Sequence, residues 1–379
     1  MFILDNEQNE VNGSTPQNIN KNLSKATQIA FLFAICLMSF LGALGALGII
    51  GTVLTLIAAG MSVLLALEFN KSIPKLLLLL FVSVVPFAAM FIYSGQLTVA
   101  MLTLCPLALA LPIYITVRSG LGRTASIACA AMVVFALYSA HFALVVYNEY
   151  GALNIETIGT YIDEAFVPVA EEFGKLTAEV DGKTQPLFTE QMLDELFYYV
   201  ETTLIGSSAM MMLIFAYFAT LTTRLFAGAF DVSHYLPMGL RVHVRAVMES
   251  DGPKVEVSRE PVQWRIGIDS VTVWVYIAAY IISLLLASSD SNPGMVYLAL
   301  QNLVIILSPG FIYCGIRDLV LMMRGKAQKG AFGRIIPILA LVFLLINPSL
   351  IVTLFCILGI VVTIKENRAV KHAMKNRKE

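Results

Sequence analysis

Few side chains in this sequence could do chemistry inside a membrane, and they fall into two groups. His141 lies in an apolar run near Tyr138 and Tyr147, where an imidazole could hydrogen-bond a ligand or relay a proton. The same spacing suits an interfacial histidine packed beside tyrosines. Gln301 and Asn302 share one turn of a later apolar run and are followed by Ser308-Pro309-Gly310. A break there would bare backbone carbonyls near the midplane, as in transporter sites, while paired amides also serve as glue between helices. Tyr138, His141, Gln301, Asn302 and Ser308 are therefore the candidate ligand-binding residues. Arg317 and Asp318 fall nearer the end of that run and read as a local ion pair or as snorkelling side chains.

Catalytic signatures are missing. There is no P-loop, HExxH or GxSxG, and the histidines at 141, 234, 243 and 372 are scattered. Cys36, Cys105, Cys129, Cys314 and Cys356 each lie alone in apolar sequence, with no CxxC pair, and read as small buried hydrophobes. The chain is thus expected to be non-enzymatic, with no metal site and no cofactor.

The elements carrying these residues must be membrane helices. The chain is 58% hydrophobic and 13% charged, with a mean hydropathy of +0.79, which excludes soluble composition and makes the lipid bilayer its first partner. A net charge of −1 gives no reason to expect a nucleic-acid partner. A crossing needs about 20 apolar residues. The run Thr27–Phe69 therefore holds two, with a tight turn inside Gly42, Gly45, Gly48 and Gly51. Further spans are expected at Leu76–Tyr93, Leu97–Val117, Thr124–Asn148, Thr203–Phe230, Ser270–Ala287 and Met295–Met323, with kinks or breaks at Pro86, Pro106, Pro112, Pro309 and Pro348.

Lysine and arginine accumulate at Lys21–Lys25, Lys71–Lys75, Arg118–Arg123, Arg224–Arg265 and Arg324–Arg334, which alternate onto one side and mark it as cytoplasmic. The last apolar stretch, Ile335–Ile364, would leave the basic tail outside if it crossed once. A hairpin of two short helices turning at Asn347-Pro348 keeps that tail inside. The expected product is an all-α bundle of about 8–10 membrane segments in the bacterial cytoplasmic membrane, with both termini cytoplasmic. Its parts are a disordered tail (1–25), a first bundle (26–148), an acidic extracytoplasmic loop (149–201), a single helix (202–230), a cytoplasmic loop (231–268), a second bundle (269–364) and a basic tail (365–379).

Two loops have readable structure. The acidic loop carries twelve acidic residues against Lys175 and Lys183, with apolar positions at helical spacing from Ile162 to Phe173 and from Met192 to Phe197, the pattern of amphipathic helices. In the cytoplasmic loop, apolar residues alternate on both sides of Asp251-Gly252, the pattern of a β-hairpin. On the first span Ala26, Ala30 and Ala34 form a small-residue face that another helix could approach closely, whether from this chain or from a separate subunit.

The order of these features resembles the YybS-like family of uncharacterised bacterial membrane proteins. The resemblance rests on Leu111–Ala128, on the acidic helix leading into a long span at Phe188–Arg224, and on the closing stretch Asn347–Arg368. That family is distantly similar to the substrate-binding membrane subunits of energy-coupling-factor transporters. The resemblance implies a small-molecule-binding or transport component whose alanine face meets a coupling or ATPase subunit. The alternative is a scaffold that assembles envelope proteins through the acidic loop and the hairpin.

Overall fold

The computed structural model describes residues 22–45, 48–175, 177–180, 183–186, 189–230, 232, 244–249, 252–257, 267–287, 294–327 and 348–376. Its helices are α1 (Lys25–Leu44), α2 (Ile49–Glu68), α3 (Ile73–Ser94), α4 (Leu97–Leu102), α5 (Cys105–Arg118), α6 (Arg123–Tyr150), α7 (Ile155–Gly174), α8 (Glu190–Ala229), α9 (Ser270–Ala287), α10 (Met295–Ala327) and α11 (Pro348–Asn376). Two short antiparallel ladders lie between helices: β1 (Thr177–Val180) pairs with β2 (Lys183–Pro186), and β3 (Val244–Glu249) pairs with β4 (Gly252–Val257) in the register Val244 opposite Val257. Among the described residues, eight helical stretches are long and apolar enough to cross a membrane, so the chain is a multi-pass helical membrane protein.

Local sequence explains most boundaries. The chain turns between α1 and α2 where the glycines cluster, and a β-carbon on Gly51 would lie 2.0 Å from the Gly45 carbonyl oxygen, so only glycine permits that approach. The run from Leu97 to Arg118 is divided at Thr103-Leu104. Pro106 sits in the first turn of α5, where its missing N–H costs nothing.

Two expectations need correction. α8 does not begin at the apolar span but extends back through the acidic segment to Glu190. Its 40 residues would run ~60 Å against a hydrocarbon thickness of ~30 Å, so its acidic end projects beyond the bilayer. There it packs on α7 through Phe166 and Phe197, whose rings lie 5.0 Å apart. Nor does Ser308-Pro309-Gly310 interrupt its helix, because α10 runs on through all three residues. Proline removes one ladder bond, whereas unwinding in lipid would free several backbone groups. The Ser308 hydroxyl meanwhile donates to the Val304 carbonyl at 2.6 Å.

The helices form two groups that meet along α8 and α10. In the first, α2 is central and packs on α1, α5 and α8. Its residues Ala59, Val63, Leu64 and Leu65 join Phe31, Ile35, Leu109, Ile113, Val134 and Ala216 in one buried cluster. In the second group α9, α10 and α11 surround a smaller core of Val273, Tyr276, Phe311 and Cys356. Gly359 of α11 lies against the Phe311 carbonyl, and Gly315 of α10 against that of Phe355.

Several hydrogen bonds show which segments share an end of the bundle. Leu23 N–H meets Glu68, and Tyr114 donates to Asn70. Nearer the second group, Gly267 N–H meets Thr124 and the Asn367 amide donates to the Ile268 carbonyl. The start of α1 and the basic end of α11 are therefore both on the side of Lys71, Arg118 and Arg123. The first arm of the expected hairpin at Asn347-Pro348 lies outside the described residues. After the expected turn, α11 begins at Pro348 and runs toward that basic end.

Candidate functional site

One cavity lies where the two helix groups meet. It measures about 330 Å3 and opens between α6 (Thr124, Ile127, Ala128), α8 (Leu213, Ile214, Tyr217), the start of α9 (Gly267, Ile268, Asp269, Thr272) and α10 (Ile306, Leu307, Pro309, Gly310, Tyr313). Each wall follows from local chemistry. Pro309 and Gly310 give α10 a low-profile surface there, with Gly310 facing Ile268, and proline leaves the Ile305 carbonyl without its helical donor. Asp269 precedes α9 and accepts from both the backbone N–H and the hydroxyl of Thr272, which caps the helix start. The Thr272 hydroxyl holds the Asp269 carboxyl below its ordinary pKa, so it is an anion at neutral pH.

Aromatic residues complete the lining. Tyr217 and Tyr313 face each other across α8 and α10 with ring centroids 5.8 Å apart. The guanidinium of Arg123, itself buried, lies 5.2 Å from the Tyr217 ring centroid, within the range of a cation–π contact. The result is a mostly apolar chamber with an acid, two hydroxyls and two phenols at its edge. It can enclose an apolar body and orient it by one polar end.

The residues singled out in sequence do not converge on one site. Tyr138 lines a different cavity of about 20 Å3, shared with Gly51, Thr52, Thr55 and Cys105 and large enough for about one water. His141 is half-buried one turn away, its Nδ1 buried without a hydrogen-bond partner among the described residues. Asn302 is committed elsewhere. Its Oδ1 accepts from Gly206 N–H at 2.6 Å, and its Nδ2 donates to the carbonyls of Thr202 and Leu298, both at 2.8 Å. The side chain thus bridges two α8 backbone groups four residues apart. Ser308 faces Tyr276, 3.4 Å from its hydroxyl, in the α9–α10–α11 core. Gln301 is half-buried and makes no side-chain hydrogen bond among the described residues. Tyr138, Asn302 and Ser308 share no hydrogen bond among the described residues.

Among the described residues, the alanine face of α1 is not the face that packs on the rest of this chain. Ala26 and Ala30 are exposed and Ala34 is half-buried, while Phe31, Ile35, Ser39 and Gly42 turn inward. Arg317 instead pairs with Glu366 of α11 at 2.5 Å. Among the described residues no cluster of three or more His, Cys, Asp or Glu side chains could hold a metal.

Sequence reading missed Asp269, Thr272, Thr124, Tyr217 and Tyr313. A signal existed: Arg123-Thr124 and Asp269-Ser270 stand where charged sequence enters apolar runs. Nothing in one dimension said that these two entrances adjoin. Comparison with family models, curated proteins and solved structures finds no match for this chain.

Proposed function

We propose that this protein is a non-enzymatic membrane component that binds a small amphiphilic molecule in the cavity between α6, α8, α9 and α10 and works in uptake with a separate coupling or ATPase subunit. The observation that carries the reading is the 330 Å3 chamber with its polar edge at Asp269, Thr272 and Thr124. Beside its helix-capping bond to Thr272, the Asp269 carboxylate stands at the rim of an apolar space, where it can orient the polar end of a bound molecule. The basic ends of the helices face the cytoplasm of a bacterial cell on this reading. The exposed Ala26 and Ala30 offer a close-approach face for the partner. The similarity to YybS-like proteins and, more distantly, to energy-coupling-factor substrate subunits points the same way.

A scaffold role is the second reading, favoured by exposed apolar side chains on the projecting segments, among them Ile155 and Val167 of α7 and Tyr198 and Tyr199 of α8. Purifying the intact protein in its native lipid and analysing it by mass spectrometry separates the two. Binding predicts a co-purifying small molecule that is depleted in Ala128→Trp, which fills the cavity. Recovery of an envelope protein, with neither a small molecule nor an ATPase subunit, would overturn the uptake reading.

A further inference from the structure

A second cavity of about 160 Å3 borders the first turn of α9, between Ser270, Val273 and Trp274 on one side and Ile364, Asn367 and Arg368 of α11 on the other. Its position is set by chain chemistry. α9 becomes apolar at Val271 and α11 becomes basic at Lys365, so the cavity stands where hydrocarbon gives way to water. Its walls are fixed, because Val273 is buried and Asn367 is anchored to the Ile268 carbonyl at 3.1 Å. Its mouth is open, with Trp274 66% exposed and Arg368 also exposed.

Among the described residues, the local charge is positive. Glu366 is neutralised by Arg317, and Arg368 has no ion-pair partner among the described residues. Lys365 is exposed three residues before it, on the same helical face. The opposing charge is Asp269, which lines the first cavity and is engaged by Thr272.

We infer that this cavity is a headgroup site for an anionic phospholipid. The phosphate sits on the Arg368 guanidinium, whose planar fork matches phosphate oxygens, and accepts from the Ser270 hydroxyl. The acyl chains run along Trp274 and the outward face of α9, where Val271 and Ile281 are exposed to lipid. A guanidinium, a hydroxyl and an indole around one pocket at the interface suit a phosphate attached to hydrocarbon better than a free anion, which would leave the tryptophan unused.

The two tryptophans of the chain make a direct test. Trp264→Phe in the intact protein leaves Trp274 as the sole fluorophore. Vesicles containing brominated phosphatidylglycerol should quench it at about fivefold lower mole fraction than brominated phosphatidylcholine, the preference expected of one or two interfacial basic residues. Arg368→Gln should bring the two lipids to parity, while Arg368→Lys keeps part of the preference. Equal quenching in the parent, or an unchanged preference in Arg368→Gln, would sink the proposal. Excess inorganic phosphate should leave the preference intact; if it erases it, the site belongs to free phosphate and the lipid assignment fails. Because Arg368 is exposed, parent-like thermal unfolding of the variants keeps the readout interpretable.

Discussion

Away from the glycine turn where α1 meets α2, side chains fill the space around α2; between α10 and α11, backbones meet. Ala59, Val63, Leu64 and Leu65 interdigitate with residues from α1, α5, α6 and α8, so the first group is held by many dispersed contacts. Among the described residues, the second has four in its buried core and relies on Gly315 and Gly359 for contact. Between lipid-solvated helices there is no hydrophobic gain from association, and close backbone approach is one of the few ways to improve on lipid packing. The comparison teaches where the molecule can yield. A core of many side chains adjusts to a small change, and a glycine contact does not. The cavity lies along the seam between the two, pinned by Asn302 bridging α10 to α8.

The same methyl group placed in both regions should break the symmetry most. A β-carbon at Gly359 would stand 1.9 Å from the Phe311 carbonyl oxygen, against 3.0 Å from the Thr222 hydroxyl at Gly60 of α2. Gly359→Ala should destabilise by roughly 3 kcal/mol, and Gly60→Ala by about 1 kcal/mol, because its contacts with the Thr222 hydroxyl and the α8 backbone, the latter at 3.1 and 3.2 Å, need give only slightly. Thermal unfolding in detergent measures both. Maleimide labelling of the buried Cys314 and Cys356 should rise in the first variant only.

Asn302→Leu comes next. It removes the bridge across the seam and leaves Gly206 N–H and the Thr202 carbonyl to pair within α8, at a cost of about 1–2 kcal/mol for the lost interhelical bonds. The cavity should loosen as well, which hydrogen exchange at α9 would register. Unchanged stability and exchange would mean that the seam is held elsewhere.

The smallest effect concerns Asp269. Its folded pKa lies below the ordinary aspartate value through the Thr272 bond. The stability it contributes is therefore present above the unfolded pKa and lost as pH falls through the lower folded value. Melting temperature should be flat from pH 7 to 5 and decline at more acid pH, and Asp269→Asn should flatten that acid limb. Because the carboxyl is largely exposed, the difference is small.

How much of this was legible in sequence varies by feature. Apolar length placed the spans, and the glycine cluster placed the α1–α2 turn, since both depend on what neighbouring residues do in lipid. The acidic helix was legible as amphipathic, but not as the continuation of α8, because periodicity does not mark where a helix leaves the bilayer. Pro309 suggested a break, yet the helix held, since the alternative exposes more backbone than proline removes. For the site, amide and imidazole identity drew attention to Asn302 and His141, while the chamber is lined by residues that looked ordinary at the entrances of separate spans.

Sequence alone determined that the chain lives in a bilayer, how many apolar stretches it has and which ends carry basic charge, because burial in hydrocarbon is decided residue by residue. Only the tertiary structure decided that α6, α8, α9 and α10 leave a chamber, and that Asn302 is spent on stitching helices together. Both depend on which faces of distant segments meet. In a medium where almost every face is apolar, hydrophobic pattern cannot choose the partner, and close steric fit must.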